Sequence, residues 1–222
     1  MHSPIDSESY VKPILGRTKI DIWECYARHV LDFIDSSKYG NLTYSDKPDL
    51  VDRAQSLGIE VTDSQSQESR EAESLYSKLA YINDPSWKQR QIKRIEQCGA
   101  HYESGILFGP NGTDSFKPIF DAHRKKLERL NSGDYELFKR NELFIKSNIL
   151  ADEEMLHEAL SNMKKESSGH SRYFASIIVS APEYNYVFGL DASTCVSLQF
   201  GYEDQYRIAR DANKEVNIAQ SS

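Results

Sequence analysis

The chain's absences exclude several classes at once. Only 11 of its 222 residues are glycine and 7 are proline, too few for collagen-like or low-complexity sequence. No run approaches the 18 apolar residues of a membrane-spanning helix, so no membrane partner is expected. The three cysteines, Cys25, Cys98 and Cys195, are odd in number and far apart. A disulfide framework or a zinc site is expected to show tighter pairs, so free thiols in a reducing compartment are the expectation. Residues 1–10 are polar and carry Asp6 and Glu8, unlike a secretory leader, and the expected location is cytoplasmic. Gly109-Pro-Asn-Gly-Thr-Asp lacks the Gly-Lys-Ser/Thr of a phosphate loop and reads as a turn. Neither an internal repeat nor a long linker is visible, and 222 residues suit one domain, 1–222, with a substantial core.

What is present is an ordinary globular composition, 39% apolar and 27% charged, with a net charge of −7. The charge is unevenly placed. Lys and Arg stand 9 to 15 against Asp and Glu over residues 1–85, 12 to 8 over 86–146 and 6 to 11 over 147–222. The basic middle clusters as Lys88, Arg90, Lys93 and Arg94, then as Arg124, Lys125, Lys126 and Arg129. Such a stripe on an acidic protein suits a phosphate backbone, although a solvated helix face is the commoner explanation.

Apolar spacing predicts helices over 17–35, 67–82, 86–98, 116–131 and 152–165. Asp84-Pro85 is read as the stop of the second helix, and His123 sits in the apolar stripe of the fourth. Strands are predicted after the Gly40-Asn41 break, at 49–52, 58–62, 142–149, 173–180 and 184–191. The tail, 201–222, reads as a peripheral, loosely docked helix. The alternation of elements indicates an α/β domain, with α+β as the variant, built on a mixed sheet flanked by helices.

One constellation carries chemistry. Lys47-Pro48-Asp49 is followed after ten residues by Glu60-Val61-Thr62. Strand alternation places Glu60 on the face opposite Ile59 and Val61. A carboxylate there is costly unless it is paired or holds a cation. Two converging carboxylates, Asp49 and Glu60, suit Mg²⁺ or Mn²⁺ in phosphodiester hydrolysis, because hard cations take oxygen ligands.

The succession of a helix bearing Glu24, a strand, Pro48-Asp49, a strand with Glu60-Val61-Thr62 and a further helix resembles the core of the PD-(D/E)xK nuclease superfamily. The resemblance covers roughly residues 17–82, and residues 142–198 would complete the sheet. It implies a restriction-endonuclease-like fold and a metal-dependent nuclease from a defence system or mobile element. Asp49 and Glu60 would bind the metal and Glu24 would help orient it. Thr62 stands where the superfamily carries Lys, so a displaced lysine is implied, Lys78 first and Lys47 second. The segments 125–131 and 142–145 resemble the helix and fourth strand of such proteins. Lys88, Arg90, Arg94, Arg124, Lys125 and Lys126 would hold nucleic acid. Glu60→Ala is expected to abolish cleavage with folding intact or improved.

Two other readings compete. The acidity, the missing motif lysine and the tyrosines Tyr173, Tyr184, Tyr186 and Tyr202 suit a non-catalytic immunity or regulatory protein that binds a toxin or nuclease. A structural domain of a larger assembly, homo-oligomers included, is the blander option. Glu154 and His157 have the spacing of a metal pair but no second copy, and Ser168-Gly-His-Ser has no nucleophile elbow.

Overall fold

The computed structural model describes residues 20–79, 82–103, 106–108, 115–133 and 135–221. The Gly109 turn and the start of the helix expected from residue 17 lie outside them. Among the described residues the fold is mixed α/β, with seven helices and a seven-stranded sheet. None of those helices is long and apolar enough to cross a membrane.

Helix α1 (Ile22–Ile34) starts where Asp21 accepts the backbone N–H of Trp23 at 2.7 Å, a side-chain cap for an orphan donor. After the short α2 (Ser36–Tyr39) come β1 (Thr43–Tyr44), β2 (Leu50–Asp52) and β3 (Leu57–Asp63), paired antiparallel in that order. Strand β6 (Arg140–Lys146) lies parallel to β3, and β7 (Ser176–Ser180) parallel to β6. The antiparallel β8 (Tyr184–Gly189) and β9 (Thr194–Gln199) close the sheet. Its order is β1-β2-β3-β6-β7-β8-β9.

The side-chain period of two sorts the core into layers. Ile59, Phe144 and Ile178 face α1 and pack with Ala27, Val30 and Leu31. Leu143, Ile145, Ile177 and Val179 face the other way, against α5 (Lys117–Asn131) and α6 (Glu153–Ser167). Between β3 and α5 the chain builds an excursion with a core of its own. Ala72, Leu75 and Leu79 of α3 (Gln67–Leu79) pack with Ile95 of α4 (Pro85–Gln97) and with Tyr102 and Leu107 of the hairpin β4 (His101–Glu103) and β5 (Ile106–Phe108).

Several expectations change here. Asp84 starts α4 instead of merely stopping α3, since its Oδ1 accepts from Ser86 N at 2.7 Å and Trp87 N at 3.1 Å. The β4–β5 hairpin and β9 are not among the strands that the sequence predicts. Val196 of β9 is exposed, so that strand lacks the alternation that marks a half-buried one. The tail is a 20-residue helix, α7 (Tyr202–Ser221), whose Ile208, Ala212 and Val216 are buried. Their spacing of four makes one stripe, and Ala212 and Val216 seat on Cys25 of α1. It belongs to the core.

Candidate active site

Three elements bring the predicted carboxylates together. Gly58 lets the Lys47-Pro48-Asp49 corner lie against β3: a Cβ there would meet Pro48 Cγ at 2.8 Å and Phe138 Cδ2 at 2.9 Å. Asp49 then accepts the Val61 backbone N–H through Oδ2 at 2.7 Å. Glu24, on the first turn of α1, shares with Asp49 the wall of a pocket of about 280 Å³. The wall also holds Trp23, Tyr26, Thr62, Lys126 and Lys146. Lys146 ends β6 in register with Asp63, so the pocket opens at the carboxyl ends of the parallel strands β3 and β6. Open sheets with parallel strands commonly bind ligands there.

Glu60 lies beneath the wall, 4% exposed. Its Oε1 accepts from Lys126 of α5, while Oε2 is buried with no hydrogen-bond partner among the described residues. The charges are unbalanced. Burial, then Asp49 and Asp21, push the Glu24 carboxyl up to about 7. Burial and then Glu60 push Asp49 up to about 6, against the pull of the Val61 N–H and Lys126. Burial and Glu60 also raise the Tyr135 hydroxyl. Lys146 hangs over the Trp23 ring at 3.4 Å from its centroid and reaches the Glu73 carboxylate at 3.2 Å. Burial lowers the Lys146 pKa, against the Glu73 charge.

The expected site residues divide accordingly. Asp49, Glu60 and Glu24 come together. Lys78 does not join them: it is exposed on α3 and absent from the wall. The apolar stripe that Lys78 borders packs on α4 and the hairpin, not on the sheet. Lys47 is also exposed and off the wall. The lysine in the pocket is Lys126, expected only as a backbone contact, and Lys146 joins it unforeseen. Both carry a sequence signal. Lys126 falls three residues after the buried His123, and Lys146 ends the apolar run Leu143-Phe144-Ile145.

Glu60→Ala strands Lys126 and is therefore expected to weaken the fold, not to leave it intact or improved. Among the other basic residues, Arg94 bonds Glu71 at 2.8 Å and Arg124 bonds Glu166 at 2.8 Å. Arg90 and Lys125 are exposed and Lys88 is half-buried.

The donor set fits a hard cation. Asp49, Glu24 and Glu60 are oxygen donors that repel one another, and the unpartnered Oε2 of Glu60 is the orphan a cation would satisfy. Chemically, the pocket offers carboxylates for a metal and two ammonium groups for a phosphate. Comparison with protein-family models, curated proteins and solved structures finds no match for the chain.

Proposed function

We propose that the protein is a metal-dependent nuclease that hydrolyses phosphodiester bonds in nucleic acid. The observation that carries this reading is the convergence of Asp49, Glu24 and the Glu60–Lys126 pair at the mouth of β3 and β6. The order of elements supports it as well. Helix α1 bears Glu24, β2 begins beside Pro48-Asp49, β3 carries Glu60, and β6 lies parallel to β3, in keeping with the resemblance to the PD-(D/E)xK core.

Asp49, Glu24 and Glu60 would hold Mg²⁺ or Mn²⁺. When bound, the metal polarises the phosphate and lowers the pKa of the attacking water. Lys126 keeps Glu60 oriented and supplies the positive charge that Thr62 cannot, close to where negative charge develops. Lys146, braced by Trp23 and Glu73, adds a second cation for a phosphate oxygen. Trp23 and Tyr26 give the pocket an aromatic wall.

The test is cleavage of a mixed panel of DNA and RNA, single- and double-stranded, with Mg²⁺ or Mn²⁺, by wild type and Asp49→Ala. Metal-dependent cleavage that vanishes in the variant is expected. Cleavage that survives Asp49→Ala, or none by wild type on any substrate, overturns the proposal. The non-catalytic binding protein would then take its place, a reading favoured by the engagement of Arg94 and Arg124 with carboxylates of the chain itself.

A further inference from the structure

The seam between α1 and α7 holds a second cluster, on different residues from the pocket. Cys25 and His29 stand four apart on α1, so their side chains share one face. Glu215 reaches them from α7. Its Oε2 lies 3.1 Å from Cys25 Sγ and 2.9 Å from His29 Nε2. All three ligand atoms lie within 4.8 Å of one another.

We propose that Cys25, His29 and Glu215 form a zinc site that fastens α7 to α1. A thiolate, an imidazole and a carboxylate are the donors Zn²⁺ takes. Tetrahedral geometry around Zn²⁺ sets sulfur and oxygen ligands about 3.5 Å apart, and nitrogen and oxygen about 3.3 Å apart. The observed separations are a few tenths of an ångström shorter, within reach of small side-chain rotations. Tyr44 O–H donates to Glu215 Oε1 at 2.9 Å, leaving Oε2 aimed at the other two donors, as an outer-shell partner does around a metal.

Arg28 is the competitor. Its guanidinium donates to the same Oε2 at 2.6 Å and to Tyr44 at 3.0 Å. Glu215 thus has one cation already, and zinc must displace it. Arg28 is partly exposed and can turn toward solvent. The Cys25 thiol, which donates to Ala212 O at 3.4 Å and to Glu215, releases its proton to water as the metal binds. Thiolate, carboxylate and Zn²⁺ then sum to zero charge in the half-buried seam. The absence of paired cysteines seemed to exclude zinc at the sequence level, but the set is Cys-x-x-x-His completed by an acid 186 residues after His29.

The test uses the full chain, stripped of metal and titrated with Zn²⁺ against a chelator indicator, with circular dichroism to verify folding. With excess Mg²⁺ present to occupy the carboxylate pocket, equimolar uptake of Zn²⁺ is expected, and Co²⁺ in its place should give a thiolate charge-transfer band. Cys25→Ser and His29→Gln should each lose uptake while staying folded, and the cobalt band should vanish in Cys25→Ser. Tyr44→Phe should bind about tenfold more weakly. Arg28→Gln should bind more tightly than wild type. A folded wild-type chain that takes up no zinc overturns the proposal, as does equal uptake by folded Cys25→Ser.

Discussion

Asp49→Asn separates stability from function at the proposed site. Asp49 is ionised at pH 7 although burial and Glu60 hold its pKa near 6, against 3.8 as a free side chain. Keeping that charge costs the fold about 3 kcal/mol at pH 7. The sign is fixed by the raised pKa. Between pH 3.8 and 6 the folded state binds the proton more tightly than the unfolded one. This contribution is therefore fully present below pH 3.8 and lost as pH rises through 6. Asparagine removes the charge and keeps an oxygen for the Val61 N–H. Without metal, Asp49→Asn should match wild type near pH 4 and exceed it by about 1–3 kcal/mol at pH 7. Urea denaturation in chelator at several pH values measures the difference. Mg²⁺ should then stabilise wild type, by about 2.7 kcal/mol at 100 times its dissociation constant, and leave the variant unmoved. A variant less stable at every pH, or an equal response of both proteins to Mg²⁺, would refute the reading of Asp49 as a strained metal ligand.

Lys126→Met leaves Glu60 buried and unpaired and should cost about 3–5 kcal/mol in urea denaturation, most of it recovered in the double variant Glu60→Gln/Lys126→Met; a single variant as stable as wild type would mean the pair is not buried. His123 is fully buried with both ring nitrogens unpartnered among the described residues, and burial holds its pKa near 4 against 6.5. The unfolded chain therefore protonates first as pH falls, so this contribution is present above pH 6.5 and lost toward pH 4. Between pH 7 and 5 wild type should lose about 2 kcal/mol more than His123→Leu, and parallel losses would contradict the neutral buried ring. Val216→Asp puts a charge into the α1–α7 seam and should cost more than about 3 kcal/mol, read as a fall in Tm; an unchanged Tm would mean α7 is not part of the core.

How much of this was legible follows from which forces act locally. Strand β3 could be read because Gly58, Ile59, Val61 and Thr62 alternate about a carboxylate, and the cost of burying Glu60 pointed to a partner without saying which. The face of Glu60 follows from strand period alone, and the structure keeps it. The partner does not. Lys126 lies 66 residues further on, and only the crossover that returns the chain from the α3–α4 excursion to β6 brings α5 over β3. Lys78 is the expected lysine because it lies three residues after Leu75 and borders the buried stripe of its helix, yet that stripe is spent on the local cluster of Ile95, Tyr102 and Leu107. The tail misled for a related reason. Ile208, Ala212 and Val216 make a narrow stripe among charges, weak as a periodic signal, and its partner surface on α1 is far away in sequence. A lysine that completes a site across such a distance leaves one local trace, a charge placed beside an apolar stripe. Lys126, beside His123 and Leu127, carries that trace, whereas Lys125 next to it does not: its side chain is exposed while its neighbour's is drawn against β3 to Glu60.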